Sequence, residues 1–379
     1  MMNATSMVED ETLRMVAQAV ADFARPNVER IRTVREKSQG FDRNCWMEFG
    51  EQGWLALLLP ESLGGTALGI DAAAVIAKQL GYACYTEPFV GVAVAGVQCL
   101  LGCPTSRRRD QLLEAIGCGE KIAALAWQSA DGVFDSDPSI IVSECAPNIV
   151  SLSGQARFVC TAHADVLIVS AKAQDELRLY AVPIGAPGVD VQHERAADGT
   201  LLAWVRLKDV VVQSADLLAQ GDQANTALNA AIDAAVLCCS AELLGVIERS
   251  LEITLDYLKV RKQFGQHIGS FQALQHRAVD MWIQKSLTQA ALRSAVDVFC
   301  DPESTPEECM AAASSVKARA SQAALYVAGQ SVQLHGAIGT TDEYELGVYV
   351  NRALSLAAQW GNAVAHRRRY GKVVVVKER

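Results

Sequence analysis

Between Glu345 and Glu378 the chain has no aspartate or glutamate, although acids outnumber bases overall and the net charge is −9. The gap covers NRALSLAAQWGNAVAHRRRYG, Asn351 to Gly371, and denies this stretch any carboxylate for acid or base chemistry. The shortage of basic residues argues against nucleic acid or an anionic membrane as the main partner, because most of the surface would repel both. Two short basic runs, Arg107 to Arg109 and Arg367 to Arg369, read as solvated helix ends, with contact to a phosphate-bearing ligand or a neighbouring subunit as the alternative. No stretch reaches about 18 uninterrupted strongly apolar residues. The N-terminal MMNATSMVEDETLRMV carries acids where a signal or transit peptide needs bases. Eleven cysteines include the neighbours Cys99 with Cys103 and Cys238 with Cys239, but no second pair or histidines at zinc spacing. These absences lead us to expect a cytoplasmic chain with reduced thiols, no metal and no membrane partner.

What is present is a large apolar fraction. Half of the 379 residues are apolar, enough for two or three domains with a sizeable core. Apolar residues recur at helical spacing from Glu9 to about Ile122, in LRMVAQAVADFA, DRNCWMEFGEQGWLALLL and DAAAVIAKQLGYA, with PESLGG at Pro60 to Gly65 as a turn. From about Ala123 to Leu218 short β-rich runs take over, among them DVLIVSAKA, LRLYAVPI and LAWVRLKDVVV. Long helical patterns then return. The expected organisation is an α+β multidomain chain: a helical domain over 1–122, a central β-barrel domain over 123–218 and a C-terminal four-helix bundle over 219–379.

Two stretches are poorly explained by helix packing alone. RKQFGQHIGSFQALQHRAVDM, Arg261 to Met281, groups a cation, an amide and an aromatic that could grip a phosphate and stack on a planar ring; an ordinary helix-loop-helix explains it equally well. QLHGAIGTTDEYEL, Gln333 to Leu346, has two glycines three apart that permit close backbone approach to a ligand, with Gln333 and His335 as donors; a glycine turn between helices is the plainer account.

With Trp46, Glu51, Gly53, Trp54 and PESLGG in the first domain, these stretches resemble the acyl-CoA dehydrogenase family. The family's R.QFG..I..FQ signature is matched by Arg261, Gln263, Phe264, Gly265, Ile268, Phe271 and Gln272. Its Q.HG..G signature is matched by Gln333, His335, Gly336 and Gly339, and the arginine of the following helix by Arg352. The order of helices, strands and helices extends the resemblance over the whole chain. It implies a tetrameric flavoprotein with FAD between the β domain and the C-terminal helices. A carboxylate removes the α-proton of an acyl-CoA, the β-hydrogen leaves as hydride to the flavin, and electrons pass to an electron-transfer flavoprotein. A thioester α-proton is too weakly acidic for water to remove, so such a site needs an aimed carboxylate and stabilisation of the enolate-like charge. The resemblance assigns Arg261, Gln263, Phe264, Gln272, Gln333, His335, Gly336 and Thr161 to cofactor binding.

The sequence departs from that pattern where the base should be. The common position, nine residues beyond Arg352, falls on Gly361 in Trp360-Gly361-Asn362. The alternative position, matched back without gaps from Arg261, falls on Ala235 beside Ala234. Asp233 is offset from Ala235 by about 200° round a helix, and Glu242 lies about 10 Å further along it. They read as a helix N-terminal acid and a solvated acid. The family's loop over flavin and substrate is matched in AWQSADGVFDSDPS only by Ser129 and by Ser136 with Asp137. The positions that serve a neighbouring subunit's cofactor are kept, and those that serve the chain's own flavin ring and base are lost. The expectation is a flavoprotein subunit for α,β-dehydrogenation of an acyl-CoA in a homo- or hetero-tetramer, its heteromeric form pairing with a glutamate-bearing relative of the kind that acts on steroid-derived thioesters. The alternatives are an enzyme with an unrecognised carboxylate, a non-catalytic acyl-CoA- or FAD-binding scaffold, and a flavin oxidase or monooxygenase of the same fold.

Overall fold

A computed structural model describes residues 4–36, 41–134, 137–161, 163–341 and 344–377. Along the chain the order is helices, strands, helices, as the patterning predicts. The chain groups into two compact units, one of Met1–Glu36, Ile70–Thr86 and Val236–Arg379, the other of Lys37–Gly69 and Glu87–Ala235.

The second of these units is built on an eight-stranded sheet. Its strands are β1 (Ala123–Ala126), β2 (Ile141–Ala146), β3 (Ile149–Val159), β4 (Val166–Ala173), β5 (Glu176–Pro183), β6 (Val189–Arg195), β7 (Leu201–Gln213) and β8 (Leu217–Gln220). The ladder runs β6-β7-β3-β2-β4-β5-β8, and β1 adds to β4 in parallel. The run VLIVSA in β4 is buried on both faces, whereas β7 alternates buried and exposed residues along much of its length, so the two sequence patterns report two positions in the sheet. Trp46, Phe49 and Trp54 form an aromatic cluster in the same unit, with Phe49 and Trp54 ring centroids 5.0 Å apart. In PESLGG, Gly64 adopts a left-handed φ of 77°, and a Cβ on Gly65 would lie 2.1 Å from the Leu59 carbonyl oxygen. The two glycines are therefore needed for different reasons.

A buried π-helix, Phe89–Gly96, lies against the sheet. Its sequence, FVGVAVAG, is apolar all round, and Val97 N–H donates to the Val92 carbonyl five residues back. A Cβ on Gly91 would sit 2.3 Å from Cys160 Sγ, so the π-helix closes directly on the end of β3.

The other unit holds α1 (Ala4–Phe23), α2 (Val28–Glu36), most of α4 (Gly69–Tyr82) and the C-terminal helices; α3 (Arg43–Glu51), α5 (Val97–Gly102) and α6 (Arg107–Gly117) belong to the sheet unit. The C-terminal helices are α7 (Gly221–Val260, most of its length), α8 (Gln272–Cys300), α9 (Pro306–His335), α10 (Leu346–Ala358) and α11 (Ala363–Lys377). Thr305, Pro306 and Glu308 start α9 with a capping box, Thr305 Oγ1 accepting from Glu308 N–H and the Glu308 carboxylate accepting from Thr305 N–H. Helix α7 is long and apolar enough to cross a membrane by length and composition, but its most apolar window is 94% buried within the protein, the signature of a core helix. Helices α4 and α7 approach through glycine: a Cβ on Gly245 would lie 2.0 Å from the Lys78 carbonyl oxygen, and one on Gly81 would lie 2.1 Å from that of Glu242.

Candidate functional site

Neither expected base position carries an ionisable side chain. Ala235 is fully buried in α7. Gly361, between α10 and α11, has a φ of 88° and follows Trp360 at 56°, so two successive residues are left-handed. The nearby acids are not the helix-end and solvated groups expected from sequence. Asp233 and Glu242 are both buried, and Glu242 is engaged by Arg352, whose Nε donates to Glu242 Oε1 at 3.0 Å with a second, closer bond from Nη2. The sequence default that places glutamate in water fails here because α7 is buried nearly all round and offers an ion-pair partner from α10.

The turn at Gly361 is fixed from beneath. Lys317 on α9 is completely buried, and its Nζ donates to the carbonyls of Leu356 at 2.9 Å and Gly361 at 3.0 Å and to Ser321 Oγ at 3.1 Å, with Ala357 O at 3.5 Å. Burial lowers its pKa below the ordinary lysine value. Cys239 on α7 points its thiol at the same Leu356 carbonyl, at 3.7 Å, and burial pushes that thiol up to about 11, which keeps it protonated. His366 on α11 is also fully buried; its Nε2 lies 2.7 Å from the Trp360 carbonyl, and burial drives its pKa down to about 3. It is therefore a neutral ring that donates to Trp360. Asn362 caps α11, its Oδ1 accepting from Val364 and Ala365 N–H. In the first basic run Arg109 binds the Cys103 carbonyl at 3.1 Å and Asp110 and is a packing anchor rather than a solvated residue, whereas in the second Arg367 is exposed on α11, as expected, and reaches Gln322 on α9 at 2.7 Å.

The two signature stretches meet on a residue that sequence reasoning missed. Tyr257, in the last turns of α7, stacks on His335 with ring centroids 4.3 Å apart, and its carbonyl accepts from Arg261 N–H at 2.9 Å. Beyond it, β9 (Lys262–Gln263) and β10 (Gln266–His267) form a hairpin closed by Phe264 and Gly265, both with positive φ. Arg261 and Gln263 are exposed, and Phe264 is 91% exposed, with the Phe271 ring edge-on to it at a centroid distance of 6.2 Å. Gln272 opens α8 and is exposed. Gln333 is exposed near the end of α9, and Gly336, φ 66°, has open space where a side chain would stand. His335 differs from expectation. Its Nδ1 lies 2.8 Å from the Ser331 carbonyl, which takes its N–H, and burial lowers its pKa, so the buried Nε2 is an acceptor rather than the expected donor. A tyrosine four residues before the arginine of RKQF was the available signal for Tyr257.

In the sheet unit Thr161 is buried just beyond β3, beside the Cys160 that packs on Gly91. Its Oγ1 accepts from His163 N–H at 3.1 Å, leaving its own hydroxyl proton to donate elsewhere. Ser129 is turned inward to Asp131, which also accepts from Val133 N–H, so this loop is folded on itself. Asp137 pairs with Lys172 at 3.3 Å, and Ser136 lies outside the described residues. Among the described residues no three His, Cys, Asp or Glu side chains are grouped to hold a metal. For a flavin nucleotide the residues present do fit: an exposed aromatic beside an arginine on a short hairpin, an open glycine, and a buried imidazole nitrogen held as an acceptor.

Comparison with known proteins agrees with this geometry. Residues 10–120 match the model of the acyl-CoA dehydrogenase N-terminal domain, and residues 225–374 match that of the acyl-CoA dehydrogenase C-terminal domain. The acyl-CoA dehydrogenase IpdE2 of Mycobacterium tuberculosis is 29% identical over 339 residues, 89% of this chain and 88% of its own length. The acyl-CoA dehydrogenase FadE27 of the same organism is 28% identical over 352 residues, 91% of each chain. Among solved structures, a variant of the Tcur3481-Tcur3483 steroid ACAD superposes with a TM-score of 0.85 at 26% identity, over 98% of this chain and 99% of that one. The ChsE4-ChsE5 complex of M. tuberculosis shares the fold, with a TM-score of 0.85 at 23% identity over 99% of this chain and 98% of that one.

Proposed function

The chain belongs to the acyl-CoA dehydrogenase family, and from that membership we propose that it is the subunit without its own base in a heteromeric, FAD-dependent acyl-CoA dehydrogenase. One observation carries the reading: neither family base position holds a carboxylate, the turn around Gly361 is tightly hydrogen-bonded, and Glu242, buried on α7, is committed to Arg352. The absence of a carboxylate there has not left the turn without support, since Lys317 and His366 hold its carbonyls. The names of two structural relatives, a steroid ACAD of two components and a two-component complex, support a hetero-oligomer and a bulky, steroid-derived CoA thioester as substrate.

When bound, FAD supplies the hydride acceptor for the β-hydrogen of the thioester. This chain's residues then divide by task. Arg261, with its backbone fixed to Tyr257, offers a guanidinium to phosphate, and Phe264 offers a ring face for stacking. The Gln333 amide donates, His335 accepts through Nε2, and Gly336 lets a ligand approach the backbone. Gln263 and Gln272 supply further amides on the same exposed hairpin and helix start. Thr161, whose Oγ1 accepts from His163 N–H, would offer its O–H as a hydrogen-bond donor to the flavin ring. The α-proton is removed by a glutamate that the partner subunit brings. Electrons leave through an electron-transfer flavoprotein, and the complex works in the cytoplasm.

The test is to purify the chain alone and co-expressed with a glutamate-bearing relative, then add an acyl-CoA anaerobically and follow flavin absorbance. Bleaching is expected only in the co-expressed complex, since loss of a general base costs on the order of 10²–10⁴ in rate. A lone chain that holds FAD and bleaches at the rate of the complex overturns the heteromeric reading. A complex that binds the thioester without bleaching points to a binding subunit instead.

A further inference from the structure

The lysine beneath the base position has no task in that reaction. We infer that Lys317 is a positioning residue for this chain's acyl-CoA site: its ammonium fixes the backbone from Leu356 to Gly361, and with it the surface that a thioester meets where the family's base would stand. The inference rests on the reading above for the second clause and on geometry alone for the first.

Leu356 and Ala357 belong to the last turn of α10, whose carbonyls have no partner within the helix, while Gly361 lies beyond the break. One ammonium group therefore ties the end of one helix to the approach of the next, and the negative end of the α10 dipole favours its charge. Among the described residues its partners are carbonyls and the Ser321 hydroxyl, with no carboxylate among them. A fully desolvated cation without a counter-ion is a costly way to fill a helix interface, and an apolar side chain of the same length would serve packing better. What the ammonium adds is direction. In a trans peptide the C=O and N–H point opposite ways, and the chain has no cis peptide among its described residues. Holding the Gly361 carbonyl toward Lys317, and the Trp360 carbonyl toward His366, sets the outward direction of the Asn362 and Gly361 N–H groups. It also keeps Trp360 and Gly361 in their left-handed conformations, which two successive residues hold only where the surroundings over-determine them.

The test uses the FAD-loaded protein, in whichever form, alone or with its co-expressed relative, retains flavin. Lys317→Met removes the donors and keeps the stem, Lys317→Gln keeps a shorter donor in case the first variant does not fold, and Ser321→Ala removes only the bond that does not reach the turn. Amide hydrogen exchange of residues 359–363 is compared with that of α8, and affinity for 2-octenoyl-CoA is read from the flavin absorbance shift. In Lys317→Met the turn amides are expected to exchange at least tenfold faster while α8 keeps its wild-type rates, and affinity falls at least tenfold. Lys317→Gln should fall between, and Ser321→Ala should stay within twofold of wild type in both. Wild-type exchange in the turn of the Lys317 variants, equal acceleration throughout α8, or a released turn with unchanged affinity each overturns the inference. A wild-type protein that binds no CoA ester refutes the proposed function instead, and the exchange measurement still decides whether Lys317 holds the turn.

Discussion

Glu242 on α7 and Arg352 on α10 meet as a buried ion pair, with Arg352 Nε donating to Glu242 Oε1 at 3.0 Å. Because each charge is out of water, removing one partner leaves the other uncompensated. Glu242→Gln or Arg352→Met alone should cost about 3–5 kcal/mol, whereas the double change to Gln and Met should recover most of it. Urea midpoints of the three variants measure this. Equal losses in the single and double variants would show that the pair is not the source.

Acid should destabilise the protein through His366. Its folded pKa, about 3, lies below the ordinary histidine value of 6.5, so the unfolded chain binds the proton first as pH falls. The stabilisation is whole above pH 6.5 and is lost progressively down to pH 3, at about 1.4 kcal/mol per unit for one group. Between pH 7 and 5 that is a loss of roughly 2 kcal/mol, and His366→Gln should flatten the slope in this window. A slope unchanged in the variant would reassign the acid sensitivity to other groups.

Phe264 is 91% exposed on its hairpin, so the fold of this chain gains little from the ring. Phe264→Ala is expected to leave the thermal midpoint of the chain within about 1 °C, consistent with a surface change of less than 0.5 kcal/mol. Retention of FAD by the assembled protein should fall severalfold, measured as flavin released on gel filtration. Full retention would remove the hairpin from the cofactor site.

Gly245 admits no side chain, since a Cβ there would be 2.0 Å from a backbone oxygen of α4, which cannot step aside as a flexible side chain would. Gly245→Ala should cost at least 1–3 kcal/mol by overpacking, read from denaturant midpoints. Gly371→Ala, where nothing stands within 4 Å of the added Cβ, is the matched control and should be neutral or slightly stabilising.

What the sequence disclosed followed from local chemistry. The turn in PESLGG is written in residues that admit few other conformations, with Gly64 left-handed and Gly65 packed against Leu59. The burial of Asp233 and Glu242 was not legible, for a common reason. Helix α7 is apolar nearly all round and so shows no amphipathic stripe to place a given residue inside or out. Lys317 did leave a trace: Ala313, Ser314, Ala320, Ser321 and Ala324, at helical spacing about it, are all small and all buried. Tyr257 was illegible because its role is to join two stretches about 75 residues apart, Arg261 and His335, and such pairing depends on the tertiary fold.

The π-helix at Phe89–Gly96 carries a consequence for how this protein can change over generations. A π turn accommodates one more residue than the α turn it replaces, so loss of a single codon between Val92 and Ala95 converts it to ordinary α-helix while the residues on either side keep nearly their present facing. The close approaches of Gly91 to Cys160 and of Gly96 to Ala123 would survive that loss, and only the residues between them would be re-faced. A point substitution cannot make that move, so the mutational neighbours in which this helix changes type are short in-frame deletions.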